Sequence, residues 1–292
     1  MDLGRVGVWS WGFVTEPAAE TRRAAVALEG MGYGTLWYPE SVGREAFTTA
    51  AVLLGATERI VVASGIANLW ARDATAAANG ARALGEAHPG RFLFGLGVSH
   101  APSAAGRGAV YERPLETMQG YLDGMERAAY VGPEPDPPVP VILAALGPRM
   151  LRLAAGRTSG AHPYFVPVEH TRAARPLLGE GRLLAPEQAV VLEQDPAVAR
   201  AVARGHMARY LALDNYANNL RRMGWRDPDL ADGGSDELVD AIVAWGDVEA
   251  VAERIEAHLE AGADHVSLQV LRRDTMAPPL PELERLADRL VG

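Results

Sequence analysis

A histidine placed just beyond a glycine-lined strand end is the residue of this chain best suited to moving a proton. His100 closes the run Arg91-Phe92-Leu93-Phe94-Gly95-Leu96-Gly97-Val98-Ser99-His100, where an apolar stretch of strand length delivers backbone, hydroxyl and imidazole together. An imidazole titrates near neutral pH, so it can take up and return protons under ordinary conditions. Glu40 holds a comparable place after Leu36-Trp37-Tyr38-Pro39. It reads as a loop charge, a helix-cap acceptor or a catalytic carboxylate. In parallel α/β proteins the carboxyl ends of the strands are where ligands bind and chemistry sits.

Other strand ends carry complementary groups. Trp9 and Trp11 stand two apart and so share a strand face, either as core filling or as the wall of a pocket, and Trp70 follows a third strand. In Ser64-Gly65-Ile66-Ala67-Asn68, glycine permits a bulge that would let a flat ring approach the backbone. Asn68 offers both a donor and an acceptor, and Ser99 offers a hydroxyl beside Val98; a plain turn role for Asn68 is the alternative. In Ala145-Leu146-Gly147-Pro148-Arg149, glycine and proline at a helix start leave free N–H groups that suit a phosphate, with Tyr164 ending the next strand beside them. The remaining histidines are weaker candidates: His88 in a turn, His206 and His258 in helices, His170 near a helix start, His162 within a strand and His265 at the wrong strand end. No metal-ligand set and no nucleophile elbow is evident.

These groups need elements to position them. Eight strand-like segments occur at residues 5–9, 35–38, 60–64, 92–97, 139–144, 160–166, 188–193 and 265–270, most of them continuous apolar runs, as parallel strands buried on both faces require. Helical periods lie between most of them: Val248, Val251, Ala252, Ile255 and Leu259 form one apolar stripe, stopped by Gly262. Eight β/α repeats predict a (β/α)8 barrel. Residues 197–245 read as a helical excursion between strands seven and eight without strands of its own, so residues 1–292 form a single domain. The glycine-rich segment 101–110 is a candidate lid, and the proline-rich segment 131–140 a stiff connector.

Composition narrows the function classes. A formal charge of −9 argues against a nucleic-acid partner, which needs a concentrated Lys/Arg face. With no cysteine there are no disulfides, thiolate catalysis or Cys-ligated metals. No apolar run approaches the ~20 residues of a membrane span and no signal segment opens the chain, so a soluble cytoplasmic protein without a membrane partner is expected. All 28 basic residues are arginine; with no lysine after any strand, an aldolase or isomerase barrel is disfavoured.

The strand-end series resembles the bacterial luciferase-like superfamily, and within it the actinobacterial oxidoreductases that use the deazaflavin coenzyme F420. The matching pieces are residues 34–40, 60–68, 90–97, 144–150, 160–166 and 261–266, in order over nearly the whole chain. The resemblance implies a small-molecule substrate, F420 as cofactor with FMN as the alternative, and a homodimer. It places the cofactor ring against the bulge at Ser64, Gly65, Ile66 and Asn68, with a non-proline cis peptide before Ile66. Val98, Ser99 and His100 would flank the ring, while Ala145, Leu146, Gly147 and Tyr164 would take the phosphate. Hydride transfer with His100 and Glu40 handling the proton follows, and Trp9, Trp11 and Trp70 would bound the substrate pocket. The alternatives are an FMN-dependent monooxygenase and a non-catalytic cofactor-binding protein. Glu40 stands where many relatives carry a histidine, and His100 where some carry an acid.

Overall fold

All eight expected strands are found in parallel, most with trimmed ends, and three further short strands join them. A computed structural model describes residues 1–273 and 275–291. Its strands are β1 (Val6–Trp9), β2 (Thr35–Tyr38), β3 (Val61–Ser64), β4 (Ala67–Asn68), β5 (Phe92–Gly97), β6 (Val141–Leu143), β7 (Gly160–Ala161), β8 (Leu183–Leu184), β9 (Glu187–Val191), β10 (Val243–Trp245) and β11 (Val266–Val270). They pair in the order β10-β9-β11-β1-β2-β3-β5-β6-β7-β8, with β4 on β5. The two sides of this path meet in one segment of chain. The Ala185 and Glu187 N–H groups donate to Ala161 and Pro163 (3.0 and 2.9 Å), while the Leu184 and Pro186 carbonyls accept from Asp264 and Ser267 (2.9 Å each). The architecture is therefore α/β, with a curled parallel sheet.

Alternation along the strands sorts side chains between the two faces. The register row Val8, Leu36, Val62 and Phe92 packs in the large cluster shared with the helices. One residue further on, Trp9, Trp37, Ala63 and Leu93 pack together inside the curl. The helix Val248–Glu260 buries Val251, Ala252 and Ile255 as its stripe predicts, and adds His258.

Three expectations change. The sixth strand shortens to Gly160–Ala161, because Pro163 has no N–H to pair and Phe165 turns to a φ of 59°. Segment 101–110 opens with the helix Ala101–Ala105 and its buried Ala104, where a flexible loop was expected. The excursion carries helices Pro196–Leu211, Asp214–Arg222, Asp227–Leu230 and Asp236–Ile242, but it ends in β10, which extends the sheet beyond β9. Phe165, Met207, Tyr216, Leu220 and Leu238 weld it to that edge. Among the described residues no helix is long and apolar enough to cross a membrane.

Buried histidines give the fold a defined acid limit. Burial pushes His258 and His206 down to about 3, and His162 and His265 to about 4. An unfolded chain binds these protons near pH 6.5, so it gains protons relative to the fold as pH drops, and stability falls from about pH 7 towards 4. Glu187, raised by burial to about 8, acts with the opposite sign but is one group against four. His258 is held neutral between the Thr171 hydroxyl (2.8 Å) and Gln188 Oε1 (2.9 Å). Urea unfolding of His258→Gln between pH 6.5 and 4.5 should show a pH slope shallower by up to about 1.4 kcal/mol per pH unit. An unchanged slope would mean that His258 does not remain neutral in the fold.

Candidate active site

The end of β3 is shaped by one buried carboxylate. Beyond Ser64 the chain leaves the strand line through a cis peptide between Gly65 and Ile66, then pairs again as β4 on β5. Glu40, just past β2, holds this bulge from both ends. Its N–H donates to the Ile66 carbonyl (3.0 Å), and its Oε2 accepts from the Asn68 N–H (2.8 Å). Oε1 accepts from the Ala46 N–H (3.1 Å) at the start of the next helix and from Arg72. Arg72 also reaches Glu45 (2.6 Å) and lies 5.0 Å over the Phe47 ring. The bulge crosses β5 so closely that a Cβ on Gly95 would lie 1.9 Å from the Ser64 carbonyl oxygen, and one on Gly97 2.6 Å from Ile66 Cδ1. The Gly-x-Gly of β5 therefore serves close approach of the neighbouring bulge.

Above the bulge opens a cavity of about 690 Å³. Gly65, Ile66, Val98, Ser99 and His100 line one side, with Ala144 to Met150 along another. Trp9 and Trp11 meet edge to face at 5.7 Å, and the Trp9 indole N–H donates to the Gly65 carbonyl (3.0 Å). Tyr164 joins this wall, with its hydroxyl within hydrogen-bond distance of Tyr210 (2.9 Å) and Gln269 Oε1 (2.7 Å). Burial raises both phenols, Tyr210 to about 12, so they remain protonated.

The chain turns out of β5 at Ser99, whose φ is 55°, and His100 then leads into the helix Ala101–Ala105. His100 Nδ1 lies 3.0 Å from Asn215 Oδ1. A carbonyl oxygen only accepts, so Nδ1 carries the proton and Nε2 keeps its lone pair. The ring also packs 5.3 Å from Tyr216. Burial lowers the imidazole below its usual value, opposed by the bond to Asn215, and the neutral form prevails at pH 7.

Most of the expected site residues meet here. Glu40, Gly65, Ile66, Val98, Ser99, His100, Ala145, Leu146, Gly147, Tyr164, Trp9 and Trp11 all line the cavity. Ser64, Asn68 and Trp70 fall outside its wall. The Ser64 hydroxyl is spent on the Gly95 carbonyl (2.7 Å) and N–H (2.9 Å). Asn68 Oδ1 caps the Trp70 N–H (3.0 Å), and the Trp70 indole donates to the Val98 carbonyl (2.8 Å), propping the end of β5. Glu40 does not polarise His100, whose ring partner is Asn215. The excursion supplies lining residues the sequence did not flag: Arg209, Tyr210, Asn215, Tyr216 and Arg222. No motif marks them, because they reach the cavity by tertiary folding alone. His162, a weaker candidate placed within a strand, also reaches it: Nδ1 bonds the Ala185 carbonyl (2.6 Å), and Nε2 is buried without a partner.

The arrangement suits a flat ring bearing a phosphate. A Cβ on Gly65 would lie 2.8 Å from Trp9 Nε1 and 3.0 Å from His162 Nε2, so a bare peptide faces the cavity there. Gly147 precedes the helix Pro148–Arg157, and Arg222 stands across from it, 3.4 Å from where a Cβ would be. The N–H groups of that helix start lie at the rim with Arg222 and Arg149, the kind of place that suits an anion. A sequence profile described as luciferase-like monooxygenase matches residues 4–265. The chain belongs to the luciferase-like monooxygenase family. It is 25% identical to a Mycobacterium tuberculosis (strain ATCC 25618 / H37Rv) protein provisionally named a coenzyme F420-dependent oxidoreductase, over 90% of this chain and 93% of that one. An F420-dependent secondary alcohol dehydrogenase, solved with an F420-acetone adduct, superposes with a TM-score of 0.78 at 14% identity, over 98% of each chain. The oxygenating constituent of 3,6-diketocamphane monooxygenase from the CAM plasmid of Pseudomonas putida, a type II Baeyer-Villiger enzyme with FMN bound, superposes at 0.71 with 16% identity, over 99% of this chain and 98% of that one. Both share the luciferase-like fold of this family member.

The Glu40–Arg72 pair should dominate the stability of the site. Their side chains are only 3% and 9% exposed, whereas Glu45 is 46% exposed. Removing one partner of a buried pair costs about 3–5 kcal/mol, and an exposed pair contributes about 0–1 kcal/mol. In urea unfolding, Arg72→Met should lose about 3 kcal/mol and Glu45→Gln less than about 1 kcal/mol. Equal losses would show that Glu40 does not depend on Arg72.

Proposed function

We propose that this family member is a (β/α)8-barrel oxidoreductase that moves a hydride between an organic substrate and the deazaflavin coenzyme F420. The observation that carries the reading is His100: a neutral imidazole, proton fixed on Nδ1 by Asn215, in the wall of an aromatic cavity floored by a bare peptide bulge. When bound, the coenzyme supplies a carbon that accepts or returns a hydride. Gly65 and Ile66 would lie against its ring, and the Gly147–Arg222 rim would hold its phosphate. His100 Nε2 takes the proton of a substrate hydroxyl as the hydride leaves the carbinol carbon, and the protonated ring returns it in the reverse direction. Asn215 is a positioning residue that keeps the lone pair on Nε2. Trp9, Trp11 and Tyr164 exclude water and hold the apolar part of the substrate. The relatives named for F420, in sequence and in fold, support the choice of cofactor. The FMN-bound relative makes an FMN-dependent monooxygenase the second reading.

Equilibrium binding of oxidised F420 and of FMN, followed by quenching of Trp9 and Trp11, separates these readings. Micromolar or tighter binding of F420 alone is the expected result; preference for FMN would move the assignment to the monooxygenase, and binding of neither would remove both. With F420 bound, His100→Ala should lose at least ~100-fold in turnover while cofactor affinity is retained. Asn215→Asp should shift the acidic limb of the pH–rate profile upward by about one unit, because a carboxylate at Nδ1 favours the imidazolium. An unmoved limb would take His100 out of the proton transfer.

A further inference from the structure

A lone pair on His100 does not by itself hold a substrate that is an alcohol at one end of the reaction and a carbonyl compound at the other. Nδ1 carries the proton bonded to Asn215, so Nε2 can only accept. A hydroxyl can donate to that nitrogen, but a carbonyl oxygen has lone pairs alone and finds no donor there. The missing donor must be a group that keeps its hydrogen and has no acceptor within the protein. Tyr216, which follows Asn215 on the helix Asp214–Arg222, meets both conditions.

The hydrogen bonds of the other buried tyrosines single it out. Tyr33 donates to the Leu283 carbonyl (2.8 Å) and Tyr38 to the Ala46 carbonyl (2.9 Å), while the hydroxyls of Tyr210 and Tyr164 lie 2.9 Å apart. Tyr216 is only 8% exposed, yet its hydroxyl has no partner among the described residues. A phenol taken out of water without a partner is costly unless a ligand answers it. Nor is this hydroxyl sealed inside the fold, as His162 Nε2 is; the space open to it is the cavity that Tyr216 lines together with His100. Its ring is held between His100 (5.3 Å), Tyr210 (5.4 Å) and Phe165 (5.5 Å), which fixes the phenol beside the imidazole. Burial, with Tyr210 and Glu187 close by, raises it well above the usual phenol range, so it stays protonated and donates.

We propose that Tyr216 is the hydrogen-bond donor to the substrate oxygen, working opposite the His100 Nε2 acceptor, so that the cavity selects an alcohol and its carbonyl product. The inference rests on the preceding reading in taking His100 as the base. As the hydride passes from the carbinol carbon to the coenzyme, the hydroxyl proton moves to Nε2 and the C–O bond becomes C=O. The oxygen keeps its hydrogen bond from Tyr216, which neither gains nor loses a proton. In the reverse direction the imidazolium and the phenol both donate to the carbonyl oxygen and stabilise the charge that builds on it.

Tyr216→Phe keeps the ring and removes only the hydroxyl, so its fold should match the wild type in urea unfolding. Both proteins are titrated calorimetrically with acetophenone and with α-methylstyrene, which has the same shape but a methylene in place of the oxygen. The titrations are run first without cofactor and then with saturating oxidised F420, which cannot reduce a ketone. Tyr216→Phe should weaken acetophenone at least about fivefold and leave α-methylstyrene unchanged. The infrared carbonyl stretch of bound acetophenone should lie lower in the wild type than in Tyr216→Phe, because donation to the oxygen weakens the C=O bond. Equal weakening of both probes would assign Tyr216 to packing and overturn the donor. Unchanged acetophenone affinity, an unmoved stretch, or no binding of acetophenone to the wild type would overturn it equally. If neither F420 nor FMN binds but acetophenone responds as expected, the donor stands and the hydride-transfer reading falls.

Discussion

The carboxylate of Glu40 is the constraint on which the rest of the site depends. A buried carboxylate persists only when charge and lone pairs are both answered. Here Arg72 answers the charge, while the N–H groups of Asn68 and Ala46 answer the lone pairs. Because two of those partners are backbone, satisfying the charge fixes the path of the chain. The bulge after β3 is held at Ile66 and Asn68, and the helix Ala46–Leu54 is held at its first residue. Once the bulge is fixed, β5 must pass beneath it without side chains at 95 and 97. A charge at a strand end can thus serve shape, as Glu40 does here.

The other half of the site comes from outside the repeating β/α pattern. Asn215, Tyr216 and Arg222 all lie on the helix Asp214–Arg222, and Arg209 and Tyr210 end the helix Pro196–Leu211. One short helix therefore sets the tautomer of His100 and places a cation opposite Gly147. The sheet provides rigid floor and backbone, and the excursion provides polar groups. Such a division lets recognition change by altering surface helices while the sheet and its bulge stay as they are.

How much was legible in the sequence follows from the range of each interaction. The parallel strands were readable because burial on both faces leaves an unbroken apolar run, and Thr35–Tyr38 and Phe92–Gly97 match to the residue. The glycines of β5 were visible as unusual, but their reason lies in a neighbouring strand, which no local pattern records. Ser64, Asn68 and Trp70 sit at a strand end and carry polar atoms, as ligand-binding residues do. The Ser64 hydroxyl, Asn68 Oδ1 and the Trp70 indole are bonded to backbone instead, and only coordinates reveal that. β10 was missed because three residues, Val243-Ala244-Trp245, follow directly on a helix and make no strand-length run. The pairing of His100 with Asn215 spans 115 positions, so nothing local announces it.

The titratable groups around the cavity differ in charge: Glu40 in its wall is paired with Arg72, whereas the groups near His100 are held neutral. His100 is lowered by burial and stays neutral; Tyr164 and Tyr210 are raised and keep their protons; Glu187, beneath them, is pushed up to about 8 and holds its proton as well. The guanidinium groups of Arg149, Arg209 and Arg222 lie in exposed residues at the rim. Under the proposed hydride transfer, the His100 imidazole would balance the step with one proton.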